Sequence, residues 1–137
     1  MNVYDLIRQH EGLRLKPYRC TAGKLTIGYG HNLDDNGISE RQADDLLLND
    51  LVDVEEELLC NLKRFEELDE IRQAVLLDMS FNLGWPRLSG FKKTLAYMEA
   101  GDYKNAAHEM LDSQWARQVG ERANRLSRMM ETGEWPQ

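Results

Sequence analysis

Apolar positions along the chain follow two different rhythms. Val3, Leu6, Ile7 and His10 share one helical face, so residues 3–10 predict a short helix with Gly12 just past its end. From Leu13 to Gly30 the rhythm breaks into short runs, KPY, AGK and IGYG, which predict a small twisted antiparallel sheet. Helical spacing returns at Ser39, a good N-cap with Gln42 three residues on, the interval of a capping box. Ala43, Leu47, Leu51, Val54 and Leu58 then recur at threes and fours, predicting a long amphipathic helix to about Leu59. Ile71, Val75, Met79 and Leu83 mark a further helix over 69–83, stopped by Gly84. Shorter helices are expected at 91–99, 102–112 and 121–131, with Asp102 as a cap. The expected class is α+β: a small N-terminal antiparallel β-sheet lobe and a larger helical C-terminal lobe, joined by a long helix. No internal repeat, low-complexity tract or linker interrupts residues 1–137, so a single domain is expected.

Composition narrows the function classes. The chain has 137 residues, 42% hydrophobic and 30% charged, ordinary for a globular protein that buries a core. No run of about 18 apolar residues is present, so no membrane insertion is expected. The start, MNVYDLIRQHEG, carries Asp5 and has no apolar stretch, unlike a secretory signal; accumulation in the cytoplasm of the producing cell is the expectation. Cys20 and Cys60 are too few for a disulfide framework and read as free thiols. His10-Glu11 begins like a zinc-protease motif, but Arg14 stands where the second histidine belongs. No metal and no cofactor are expected. Net charge is −7 overall, split as +3 over residues 1–30, −11 over 31–80 and +1 over 81–137. An acidic middle repels phosphates, which argues against nucleic acid as a partner, and reads most simply as a solvated helix face.

Candidate chemistry gathers near the junction of the first helix and the sheet. The carbonyls that end a helix form a negative pole. A carboxyl group there, Glu11, is better kept protonated, as a general acid requires. By itself Glu11 reads more often as a solvated surface residue. Cys20 is a nucleophile, a base or a small packing residue, and Thr26, in the strand-like TIGYG, is a residue of high β-propensity.

The stretch EGLRLKPYRCTAGKLTIGYGHNL strongly resembles the opening of phage-type lysozymes, glycoside hydrolase family 24. That family's active-site pattern is Glu, eight residues, Asp or Cys, five residues, Thr, and Glu11, Cys20 and Thr26 fall on it without a gap. The resemblance continues through SFNLG (80–84), GF (90–91), AAHEMLDSQW (106–115) and RANRLSRMMETGEW (122–135). It implies a lysozyme-like fold and hydrolysis of the β-1,4 bond between N-acetylmuramic acid and N-acetylglucosamine in peptidoglycan. Glu11 would protonate the glycosidic oxygen. Cys20 and Thr26 would hold or activate the water that attacks the opposite sugar face, an inverting geometry. Cys20 departs from the commoner aspartate, and attack by its sulfur remains the alternative to water activation.

The same resemblance implies substrate-binding roles for Asn32, Leu33, Phe81, Thr94, Glu109 and Arg122. Phe81 reads equally as a core residue, Glu109 as a solvated carboxylate and Arg122 as an exposed helix arginine. In the family, the arginine matched by Arg122 reaches the catalytic glutamate. Trp115 is expected in the core. The biology implied is that of an endolysin: a monomer held in the host bacterial cytoplasm until lysis, dependent on a holin to reach the wall in the periplasm. Two alternatives share the resemblance: a lytic transglycosylase acting on the same bond, and a catalytically inactive murein-binding protein. A cysteine hydrolase built on Cys20 and His31 lacks a third group and a nucleophile-elbow sequence.

Overall fold

Asn2 opens the first helix, α1 (Val3–Glu11), through a capping box: its side chain accepts from the Asp5 N–H, and the Asp5 carboxylate accepts from the Asn2 N–H. The helix stops at Gly12, where φ is +71° and the N–H returns to the Arg8 carbonyl. That backbone turn suits a residue without a Cβ. Three short strands follow, β1 (Arg14–Arg19), β2 (Leu25–Gly28) and β3 (His31–Asn32), forming an antiparallel sheet in the order β1-β2-β3. Tyr18 pairs with Thr26, and Thr26 in turn with Asn32. The register slips between Arg14 and Tyr18. One turn of helix, α2 (Leu33–Asn36), is capped by Asn32. Its acidic residues reach back to β2 and the turn before it: Asp34 accepts the Leu25 N–H at 2.7 Å, and Asp35 meets the Lys24 ammonium at 3.0 Å.

These elements make the first of two units, Met1–Leu46; the second runs from Leu47 onward. The computed structural model describes residues 1–136. The boundary falls inside α3 (Glu40–Asn61), which opens on the expected capping pair. The Ser39 N–H donates to the Gln42 side chain at 2.8 Å, and the Gln42 N–H to the Ser39 hydroxyl at 3.1 Å. A 3-10 turn at Phe65–Glu67 leads to α4 (Glu70–Leu83), α5 (Trp85–Leu88), α6 (Lys92–Glu99), α7 (Tyr103–Leu111), α8 (Gln114–Val119) and α9 (Glu121–Thr132). Asp69, Asp102 and Ser113 cap α4, α7 and α8 with side-chain oxygens.

The buried apolar side chains all belong to this second unit, from Leu58 through Trp115 to Met130. Five are methionines: Met79, Met98, Met110, Met129 and Met130. Trp115 is buried as expected; its indole N–H donates to Asn82 at 2.8 Å, and Phe91 meets it edge-on at 6.0 Å. Arg72 closes the far end of α9. Its guanidinium donates to the Met130 and Glu131 carbonyls at 2.7 and 3.0 Å and lies over the Tyr103 ring, satisfying carbonyls that a helix end leaves open.

The α+β class, the small sheet and the long helix are as the hydrophobic pattern predicts. The additions are α2, the 3-10 turn, α5 and α8, which no periodicity announced. Among the described residues, no helix is long and apolar enough to cross a membrane.

Candidate active site

Glu11 is the last residue of α1, and its carboxyl lies against the turn between β2 and β3. A Cβ built on Gly30 would stand 2.8 Å from Glu11 Oε2 and 3.2 Å from its Cδ. One turn earlier on α1, the Arg8 guanidinium sits 5.8 Å from the centre of the Tyr29 ring. The end of the helix and the turn thus meet twice.

Cys20 sits in the other turn, where β1 passes to β2. The Cys20 N–H donates to the Lys24 carbonyl at 2.9 Å, and the Gly23 N–H to the Cys20 carbonyl at 2.8 Å. Hydrogen bonding from the Lys24 and Ala22 backbone holds its thiol below the ordinary cysteine range, against an opposing desolvation; the Thr26 hydroxyl adds to the lowering. Hydrogen bonds to a thiolate favour the charged form in this way. Thr26 stands on β2, only 3% exposed, and its hydroxyl donates to the Lys24 carbonyl at 2.8 Å. Cys20 and Thr26 are therefore joined through the Lys24 carbonyl, which accepts from both, and strand β2 runs from their turn toward the turn that carries Gly30. The arrangement offers a carboxyl acid at a helix end, and a thiol of lowered pKa whose turn shares a backbone carbonyl with a hydroxyl.

The remaining predicted residues fall into separate places. Asn32 is occupied as the cap of α2: its Oδ1 accepts from the Asp35 N–H and its Nδ2 donates to the Asp35 carboxylate. Leu33 is half-buried at the start of α2. The His31 ring bonds to the Gly37 carbonyl. In the helical unit Phe81 is not a core residue; it is 43% exposed near the end of α4. Thr94 and Glu109 line one groove of about 370 Å³ together with Phe91, Lys93 and Ser113, although Thr94 itself is 1% exposed. Arg122 is held by Asp78 of α4, with Nε and Nη2 at 2.8 and 2.7 Å from one carboxylate oxygen.

Sequence reasoning missed four things here: the turn amides at Cys20, the Gly30 clearance, the Asp34 tie to β2 and the Asp78 partner of Arg122. The paired glycines of GYG were the only linear signal for the second. No group of three or more His, Cys, Asp or Glu side chains among the described residues is disposed to hold a metal ion.

A three-stranded sheet unit bearing an acid at a helix end, followed by a helical unit, is the arrangement of a lysozyme-like glycoside hydrolase. The chain belongs to the phage lysozyme family, whose description matches residues 8–131. A probable T4-type lysozyme of Dictyostelium discoideum is 28% identical across 96% of this chain and 95% of its own length. The endolysin of Acyrthosiphon pisum secondary endosymbiont phage 1 is 33% identical over 85% of this chain and 80% of its own. The pre-baseplate central spike protein Gp5 of Enterobacteria phage T4 is 28% identical over 97% of this chain, which spans only 28% of that larger protein. As a member of this family the chain is a glycoside hydrolase of the lysozyme class, with peptidoglycan as its substrate.

Proposed function

We propose that the chain hydrolyses the β-1,4 bond between N-acetylmuramic acid and N-acetylglucosamine, with inversion, as an endolysin for host cell lysis. The observation that carries this reading is that Cys20 and Thr26 are tied to one backbone carbonyl, that of Lys24, in the sheet unit that also holds Glu11. Glu11 donates its proton to the glycosidic oxygen as the bond from that oxygen to the anomeric carbon breaks. A water held by the Thr26 hydroxyl and the Cys20 sulfur adds to the opposite face of the anomeric carbon and passes its proton to that sulfur, present as the thiolate. Asn32, Leu33, Phe81, Glu109 and Arg122 contribute sugar contacts, and Thr94, buried at the wall of the groove it lines with Glu109, shapes the binding surface. The exposed ring of Phe81 suits stacking on an apolar sugar face. The enzyme acts as a monomeric single domain, made in the bacterial cytoplasm and reaching the wall through a holin-type pore.

Turbidity loss of outer-membrane-permeabilised cells tests the acid. Glu11→Gln is expected to lower the rate by about 100-fold or more, the scale of a lost general acid. A rate unchanged from wild type would remove Glu11 from the reaction, and a wild type without lysis would leave only murein binding. Mass spectra of the released muropeptides test the bond chemistry: reducing ends are expected, and 1,6-anhydro ends would make the enzyme a transglycosylase. For position 20, Cys20→Asp should keep activity within about tenfold while Cys20→Ala loses most of it. Equal rates in both variants would show that the side chain there does no chemistry.

A further inference from the structure

We propose that Gly30 is a positioning residue for Glu11: its missing side chain is the space in which the acid's carboxyl group rests. The inference rests on Glu11 being the proton donor.

Two glycines with left-handed backbone flank Tyr29 in the β2–β3 turn, Gly28 at φ +70° and Gly30 at φ +77°. Backbone conformation asks the same of both, since either φ is unfavourable for a residue with a Cβ. Their surroundings differ. A Cβ at Gly28 would meet nothing within 4 Å, whereas one at Gly30 would fall 2.8 Å from Glu11 Oε2 and 3.2 Å from Cδ. Contacts that short do not persist, so something must move. The neighbour is the free end of a flexible side chain, which can swing aside with little consequence for folding. The displacement therefore falls on the one group whose placement the reaction depends on. A proton donor must stand within hydrogen-bond reach of the leaving oxygen, and a shift of about 1 Å can cost a hundredfold in rate.

The backbone on both sides of this contact is tied down. It is the last residue of α1, and Gly12 closes the helix behind it with an N–H bond to Arg8. Arg8 packs over Tyr29, between the two glycines, so helix end and turn stay in register while only the carboxyl group is pushed.

Gly28→Ala and Gly30→Ala separate clearance from backbone strain. Both variants should lose similar thermal stability. Gly30→Ala should lower kcat on permeabilised cells by tenfold to a hundredfold, while Gly28→Ala stays within about twofold of wild type. Crystal structures of the two variants give a readout independent of lysis: the Glu11 carboxyl should be displaced in Gly30→Ala and unmoved in Gly28→Ala. Equal kcat losses in both variants, or a Glu11 carboxyl that keeps its place beside Ala at position 30, would overturn the proposal. Should Glu11→Gln lyse as well as wild type, the proton-donor reading falls instead; the crystal structures would still decide whether Gly30 makes room for the carboxyl.

Discussion

A sulfur atom at position 20 brings its own titration into the site. The Lys24 and Ala22 amides, with the Thr26 hydroxyl, lower the Cys20 thiol's pKa against the desolvation that opposes them. Iodoacetamide alkylation followed against pH should therefore show its midpoint below that of an ordinary cysteine, about 8.5. Thr26→Val, which removes the hydroxyl that adds to the lowering, should move that midpoint up; an unmoved midpoint would separate the two side chains. Because the folded thiol ionises more readily, its stabilisation is complete above the unfolded pKa and is lost as pH falls through the folded one. At residue scale the candidates Glu11, Cys20 and Thr26 could be singled out because they form a linear spacing. Gly30 was not, since room for a carboxyl group depends on where a helix end and a turn meet. Arg122 shows the same limit. Its type and position were readable, but its partner Asp78 lies forty-four positions away.

Helices legible in the sequence are those with at least two turns of repeat, with or without a side-chain cap. α3 was readable from Ser39, Gln42 and its leucines. α2 and α5 have four residues and α8 has six, too few for a 3.6-residue period to be seen. Their placement depends on Asn32, Gly84 and Ser113 at their starts. Caps also carry measurable stability. Asp69 accepts the Arg72 N–H at 3.0 Å at the head of α4 and pairs with the Arg72 guanidinium at 3.1 Å. Burial alone would raise its pKa, but the hydrogen bonds and charge of Arg72 prevail and lower it. Asp69→Ala should cost about 1–2 kcal/mol at pH 7, read from denaturant melts. A carboxylate with a depressed pKa stabilises fully above its unfolded value, about 3.9, and stops doing so as pH falls through the folded one. The gap between wild type and Asp69→Ala should therefore shrink on acidification below about pH 4; a constant gap would assign the loss to something other than the ionised carboxylate.

For the molecule as a whole, burial is uneven. The helical unit holds the apolar core, while in the sheet unit Thr26 is the one fully buried side chain. Few buried apolar contacts leave backbone hydrogen bonds open to local fluctuation. Native-state hydrogen exchange should accordingly be faster in β1–β3 than in α4, α7 and the middle of α9, and equal protection would contradict this ordering. The α+β class was legible from the change of rhythm at Leu13; the division of the core was not, because α1 and α3 show apolar faces as regular as those of the buried helices.

The methionines of that core set the terms on which the helical unit ages. Five of the chain's six are buried there, where unbranched thioethers fill irregular space and accept neighbours of different shape. Peroxide that reaches one converts it to a sulfoxide, a polar group among hydrocarbon. As long as the helices stay closed the sulfur atoms are shielded, so oxidative damage should track how often they open.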